Sequence, residues 1–408
     1  MRDGGSLWSL ALRRFAGRTS ARIGLALFGL FGLIALYAPL LAGEVAILWW
    51  DDAGLRLPLL VDLFNSRSYP KHHDLLFSIA GLLLPACIAA GWLLRKRVPI
   101  GRVAGWSAVA ILACWLACLL PIIPDGQGTA ALWTDRPSSP CTWQAAAEAR
   151  TAGRAVFAVF PLVPHRYDAA YAGVVLKAPG SVNPATGSRF WMGTDQVGFD
   201  VWARMAFGTR ISLTIGLLAT GVAMAIGTMI GAISGFAGGW TDLLLQRMVE
   251  IMMCFPTFIL VLVVVSMLGR DIFVITLVLG LTGWAGTARL VRGEFLAQSG
   301  REYVLACQAA GLPAWRIMFL HVLPNCTTPL LISATFGVAG SVGLESGLAF
   351  IGLGDANVPS WGMLLNQGRE NIAFAWLIWT PGLAVFLLVT ALNLVGNNLR
   401  EALDPKAH

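Results

Sequence analysis

Charge is what this sequence has least of. Asp, Glu, Lys and Arg make up 12% of its 408 residues, against 57% hydrophobic residues and a mean hydropathy of +0.70. A soluble globular chain carries about 25% charged and about 45–50% apolar residues, so a water-soluble enzyme, a disordered chain and a collagen-like chain are excluded. An integral membrane protein is expected. Cysteine is sparse where a disulfide framework would need it: of Cys87, Cys114, Cys118, Cys141, Cys254, Cys307 and Cys326, only Cys141 lies in a long polar stretch. Cys114 and Cys118 share a helix face, a spacing that suits packing better than ligation. There is no HExxH and no paired CxxC, no Gly-Lys dipeptide and hence no P-loop, and no GxSxG nucleophile elbow. The chain is therefore expected to be no enzyme, with no catalytic, cofactor-binding or metal-binding residue of its own. A nucleotide that drives it would sit on another protein.

What is present is a series of apolar runs edged by basic residues. The net charge of +7 and pI near 9.3 do not point to nucleic acid, because the basic residues flank apolar spans as the positive-inside rule predicts. A helix needs about 20 apolar residues to cross the hydrocarbon. Eight segments qualify: 23–42, 75–94, 103–123, 211–234, 249–268, 272–290, 327–350 and 374–396. Arg2, Arg13, Arg14, Arg18 and Arg22 against Asp3 place segment 1–22 in the cytoplasm, ahead of an uncleaved first helix at 23–42. Segment 43–74, with Glu44, Asp51, Asp52, Asp62 and Asp74 outnumbering Arg56, Arg67 and Lys71, then lies outside. Arg95, Lys96, Arg97 and Arg102 hold the turn of a 75–123 membrane hairpin inside. Region 124–210, punctuated by Pro124, Pro137, Pro140, Pro161, Pro164, Pro179 and Pro184, is a long external loop of the kind that carries function or a small domain. The expected core is 211–398, with 291–325 inside, 351–373 outside and a cytoplasmic tail 399–408 that includes Arg400, Glu401, Asp404 and Lys406.

The 291–325 connector reads as two short helices. Arg301 to Ala310 has no breaker, and Gly311 suits the left-handed position that closes a helix. Pro313 suits a first helical turn, and the second piece, Ala314 to Leu323, is expected to end at Pro324. Such a helix either anchors the bundle or offers a grip to a soluble partner. Glu250 and Glu345 lie within apolar spans, where an ionisable group costs about 2.5–3.5 kcal/mol on insertion scales. Arg247, three residues before Glu250, is expected to pair with it near the membrane face. Glu345 sits among six glycines between Gly337 and Gly354, where it would either cap amides of a broken helix or line the path. Gly227, Gly231 and Gly235 put small residues on one helix face, a close-packing signal within the chain or across subunits. His72 and His73 are expected to be solvated or interfacial, and His165 and His321 to stand alone.

At 301–325 the stretch REYVLACQAAGLPAWRIMFLHVLPN resembles the cytoplasmic loop of binding-protein-dependent ABC importer permeases. GTDQVGFDVWARMAFGTRISL at 193–213, VEIMMCFPTFIL at 249–260, LAFIGLGDANVPSWGMLLNQGREN at 348–371 and LREALDPK at 399–406 are similar to the oligopeptide/dipeptide C-type subfamily, in its order. The resemblance implies an all-α polytopic bundle in a bacterial inner membrane, with one N-terminal helix, an external loop and a five-helix core. The 75–123 hairpin is this chain's departure from it, an insertion that brings the expected total to about eight spans and keeps both termini cytoplasmic. It implies that the loop couples to an ATPase through Arg301, Glu302, Leu305, Ala306, Gly311 and Pro324. Leu305 stands where the family has Glu, Cys307 where it has Ala, and Phe199 where the subfamily has Arg. Gly193, Thr194, Asp195, Asp200, Arg204, Pro359, Trp361 and Gly362 are the candidate external-face motif. The implied partners are a second, B-type permease, two ATP-binding cassette ATPases carrying the ATP and Mg, an extracytoplasmic binding protein, and membrane lipid. The implied cargo is peptides or similar small solutes, moved by alternating access about a central path. A lone carrier or membrane enzyme, and a non-transporting scaffold, are the competing readings. The first lacks internal repeats and clustered reactive groups, and the second would keep the loop but lose the flux.

Overall fold

The computed structural model describes residues 14–403, apart from 53, 67, 70, 95–99, 120, 126–127, 132, 134–138, 153–155, 172 and 185. The expectations that rest on Arg2, Asp3, Arg13, Arg67, Arg95, Lys96, Arg97, Pro137, Asp404 and Lys406 lie outside these residues, as does the side chain of Arg102. The described chain is mainly helical and divides into two compact units. One comprises Met1–Phe31, Ile211–Glu370 and Pro381–His408, and the other Gly32–Arg210 and Asn371–Thr380.

Among the described residues, six helices are long and apolar enough to cross a membrane, and a bent pair makes a seventh. In chain order the helices are α1 (Thr19–Leu36), α2 (Ala38–Leu41), α3 (Pro58–Asp62), α4 (His72–Leu94), α5 (Ile100–Leu119) and α6 (Trp143–Thr151). They continue with α7 (Val201–Ala237), α8 (Gly239–Cys254), α9 (Thr257–Leu268), α10 (Ile272–Ser299), α11 (Glu302–Ala309) and α12 (Ala314–Arg316). The last three are α13 (Thr327–Phe350), α14 (Trp361–Glu370) and α15 (Trp376–Leu403). The expected 103–123 span is α5, whose described apolar stretch, Gly105–Cys118, is shorter than a full crossing. The expected 249–268 span is not straight: α8 and α9 meet at 82°. Pro256 is the cause, because the residue before a proline is driven out of the helical region, and Phe255 is extended at φ −85°, ψ 128°.

The first unit is held by close helix packing. A Cβ on Gly231 would lie 2.4 Å from the Ala288 carbonyl, one on Gly227 2.6 Å from Thr287 Cβ, and one on Gly235 2.7 Å from Phe295 Cβ. The glycine stripe of α7 is thus a seam against α10, within the chain, where lost side chains are replaced by backbone contact. Beside that seam Ile215, Val261, Val265, Ile275, Leu279 and Leu348 form a dry cluster from α7, α9, α10 and α13. The connector after α10 is shorter than the expected 291–325, since α10 runs on to Ser299. Nor does the second piece end at Pro324. Ile317–Val322 winds as a π-helix and Leu323–Cys326 as a 3₁₀ turn, which leads directly into α13. Such local changes of winding absorb the amide that Pro324 lacks.

The second unit joins stretches far apart in sequence. Strand β1 (Leu48–Asp51) pairs antiparallel with β2 (Gly54–Arg56) on one side and with β5 (Phe157–Val159) on the other, in the register Trp49↔Arg56 and Trp49↔Ala158. A separate hairpin is formed by β3 (Pro121–Asp125) and β4 (Gly128–Ala131). The two segments expected outside, 43–74 and 124–210, therefore share one small sheet. Trp49, Cys141, Ala46 and Ala146 pack beneath it.

Candidate functional site

The loop between α10 and α13 is built around a single short helix. Val304 of α11 is fully buried with Val291, Phe295, Ile317 and Val322. The rest of α11 is turned outward: Arg301, Glu302, Leu305, Ala306, Gln308 and Ala309 are exposed, with Leu305 at 51%. Gly311 has φ +74°, and the Gly311 and Leu312 amides donate to the Gln308 and Cys307 carbonyls at 3.0 and 3.2 Å. This is a left-handed helix stop of the kind glycine makes cheaply. A Cβ there would touch nothing within 4 Å, so the requirement is one of backbone and not of space. The Tyr303 hydroxyl donates to Gln298 Oε1 at 3.1 Å and accepts from Asn325 Nδ2 at 3.4 Å, tying α11 to the end of α10 and to the 3₁₀ turn. Pro324 is exposed on that turn. Between them, Trp315, Phe319 and Leu320 are also exposed. The segment is thus a rigidly braced helix that presents a small-residue and apolar face.

The 193–210 motif has the opposite character. Gly193 has φ +77°, and a Cβ there would lie 2.6 Å from the Lys177 carbonyl. The Thr194 hydroxyl donates to the Val174 carbonyl and accepts from the Lys177 amide. Asp195 Oδ1 accepts from the Val197 and Phe199 amides, both at 2.9 Å, and its Oδ2 accepts from Arg204 Nη1 at 3.3 Å. Asp200 Oδ1 caps α7 by accepting from the Ala203 amide at 3.1 Å. Phe199, the departure from the subfamily pattern, puts its ring 4.8 Å from the Arg204 guanidinium carbon. Gly193, Thr194, Asp195, Asp200 and Arg204 are all buried, and so are Pro359, Trp361 and Gly362. Trp361 packs against Phe31 at 5.7 Å, and a Cβ on Gly362 would meet the Ser346 carbonyl at 2.5 Å. The side chains of this motif are held inside the fold, and α14 exposes Arg369 and Glu370.

Other polar residues find partners that their sequence positions did not disclose. His165 does not stand alone: its Nδ1 lies 2.6 Å from Asp200 Oδ2 and its Nε2 2.7 Å from Ser188 Oγ. The order Asp–His–Ser is that of a hydrolytic triad. However, His165 is wholly buried beneath Phe190, and Ser188 also bonds Thr186, so the hydroxyl is closed to an acyl substrate. His73 is buried, not solvated, next to an exposed His72. Arg247 and Glu250 do pair, at 2.5 Å on the exposed side of α8. Glu345 accepts from the hydroxyls of Ser360 at 2.7 Å and Ser346 at 3.4 Å, not from amides, because α13 is unbroken across the glycines. Asp242 forks with Arg292, at 2.7 Å to both Nε and Nη2, and accepts from Ser234. Outside the spans, burial raises the hydroxyl pKa of Tyr69, Tyr167 and Tyr171 above the usual tyrosine value. Tyr171 also donates to Glu44 at 2.8 Å. The Asp168 fork raises the Arg166 pKa.

Sequence reasoning missed the most heavily bonded cation among the described residues. Arg210, fully buried, donates to the Ala35 carbonyl at 2.7 Å, to the Leu36 carbonyl at 3.3 Å and to Asp74 Oδ1 at 3.1 Å. It caps the C-terminus of α1 and ties it to the first turn of the additional hairpin. The available signal was an arginine at the head of a long apolar run, a placement that demands a partner.

Two family descriptions match the chain: "Binding-protein-dependent transport system inner membrane component" over residues 227–408, and "N-terminal TM domain of oligopeptide transport permease C" over residues 6–47. The dipeptide transport system permease protein DppC of Alkalihalophilus pseudofirmus is 36% identical over 218 residues, 53% of this chain and 72% of that protein. The oligopeptide transport system permease protein OppC of Haemophilus influenzae is 38% identical over 228 residues, 55% of this chain and 73% of that protein. An inward-facing structure of the MetNI methionine ABC transporter aligns at a TM-score of 0.43 and 18% identity, over 50% of this chain and 97% of that one. The 75–123 hairpin lies between the two matched stretches.

Proposed function

Because the chain belongs to the oligopeptide/dipeptide C-type permeases of binding-protein-dependent ABC importers, multi-pass proteins of the inner membrane, we propose that it forms one half of the translocation channel beside a B-type permease. The cargo is peptides or similar small solutes brought by an extracytoplasmic binding protein. Two ATPase subunits hold the ATP and Mg, and this chain contributes no catalytic group. Its N- and C-termini and the α10–α13 loop face the cytoplasm, and segments 43–74, 124–210 and 351–373 face outward.

The observation that carries this reading is the exposed Leu305, Ala306 and Ala309 face of α11, anchored by Val304 and braced by Tyr303. ATP binding closes the ATPases, the docked α11 moves with them, and the brace to α10 passes that movement to the helix against which the glycine seam of α7 packs. Energy enters only through the difference in ATP affinity between the two states, as any ligand-driven shift requires. With Leu305 in place of a carboxylate, the contact is apolar and its strength depends little on salt.

The test is affinity purification of the tagged full chain from its host, as wild type and as Ala306→Arg. The wild type should bring down a second permease and P-loop ATPases. The variant should keep the permease, lose the ATPases and abolish uptake. Recovery of the chain without ATPases, under conditions that preserve other membrane complexes, would instead favour a carrier or a scaffold.

A further inference from the structure

The additional hairpin helps to enclose an apolar groove. The end of α1, α2, α3 and the first turns of α4 surround a cavity of about 230 Å³, whose walls include Leu36, Leu40, Ile47, Leu60, Leu63 and Leu82. Two polar side chains reach it, and neither has a hydroxyl hydrogen to offer a guest. Tyr37 donates to the Gly81 carbonyl at 3.3 Å and Ser78 to the Asp74 carbonyl at 2.8 Å. Gly81 permits the close approach of α4 to α1, since a Cβ there would lie 3.1 Å from the Leu36 carbonyl.

We propose that this groove holds an acyl chain of a membrane phospholipid as a resident ligand. Three observations choose that occupant. The lining offers a polar solute no free hydrogen-bond donor, and an apolar cavity of this kind is a poor site for water. The groove opens beside two helices long and apolar enough to span: Leu36 ends one, and Leu82, 41% exposed, lies on the flank of another. Its walls are concave and come from four helices, so a chain inside is gripped, whereas the convex outer faces of the helices meet only solvent lipid. Leu40 and Leu60, 39% and 41% exposed, form its rim, and the buried Leu59 and Leu63 of the α3 region close its back. The hairpin thereby acquires a role: α4 is the wall without which the groove would be open. A lipid held there would link α1 to the hairpin beside the Arg210–Asp74 tie.

The test uses the full chain in nanodiscs of phosphatidylethanolamine and phosphatidylglycerol, doped with a phosphatidylcholine that carries a diazirine within one acyl chain. After photolysis, peptides are mapped by mass spectrometry. Labelling at Leu60 and Leu82 should exceed that at Ile88 and Phe386, which are at least as exposed (64% and 63%) but lie outside the groove. Leu60→Trp, which fills the groove from the rim, should reduce the Leu82 label to the level at Ile88 without changing the Phe386 label. Leu40→Trp provides the same readout should the first variant fail to fold. Equal labelling across all four residues would overturn the proposal, as would capture of the groove residues by a neighbouring polypeptide. A wild-type label at Leu82 that persists in both folded variants would overturn it too.

Discussion

The 193–210 motif and α11 both carry the signature of the same family, yet they use their residues in opposite ways. In the first, Thr194, Asp195, Asp200 and Arg210 are buried, and each bonds groups of its own unit. In the second, one residue, Val304, is buried and its neighbours Leu305, Ala306 and Ala309 are left open. A recurrent motif can therefore mark either a fixture of the fold or a surface held ready for another protein. The difference lies in whether its polar and apolar groups are already satisfied. Substitution should damage stability in the first region and communication in the second.

The largest stability effect is expected from Asp74→Ala. It strands the Arg210 guanidinium among carbonyls, and breaking a buried pair on one side costs about 3–5 kcal/mol. Thermal unfolding of the purified chain should show it, and a melt like the wild type would break the comparison. Next comes Gly231→Leu, which drives a side chain into the Ala288 carbonyl across the α7–α10 seam. Overpacking of this kind costs about 1–3 kcal/mol, and the same melt reads it.

Gly311→Ala should cost about 1–2 kcal/mol locally, since a residue with a Cβ is forced to a left-handed φ. The core melt should change little while ATPase capture and uptake fall, and Gly311→Asn should recover part of both. Leu305→Glu is expected to leave the melt unchanged, because the side chain is half exposed. It should alter only ATPase affinity and its salt dependence. A fall in stability there would show that α11 is bound into the fold as tightly as the 193–210 turn. The smallest effect is spectroscopic. Burial holds Tyr69, Tyr167 and Tyr171 neutral past the usual tyrosine pKa of about 10. Their contribution to stability is complete below that pH, and it declines as pH rises from there toward the raised folded values. In the folded chain, replacing each by Phe should leave the tyrosinate absorbance near pH 10 unchanged, and a drop would place that ring in water.

Much of the fold is legible in the sequence because it depends on local chemistry. Long apolar runs become α1, α7, α10, α13 and α15, the last with Pro381 inside it, and Gly311 closes α11 where a left-handed residue is needed. The differences fall where winding or pairing depends on remote groups. Pro324 has the local chemistry of a stop, but the π-helix and 3₁₀ turn around it carry the chain onward, since Val322 and Cys326 are buried in the cluster that anchors α11. Pro256 hides inside an apolar run, although its restriction on Phe255 is a local signal for the 82° bend. His165 looks solitary in sequence because Asp200 and Ser188 lie 35 and 23 residues away.

By itself the sequence determined the membrane class, the order of the apolar helices and the family, since hydropathy, breakers and motifs are all written along the chain. Tertiary structure alone decided which motif is consumed and which is offered. It also decided that Arg210 finds Asp74 across 136 residues, and that an inserted hairpin closes an apolar groove. The physical reason is that a residue's own chemistry determines its local conformation. The burial of a polar group, and the partner that makes that burial tolerable, depend on which distant segments the packing brings beside it.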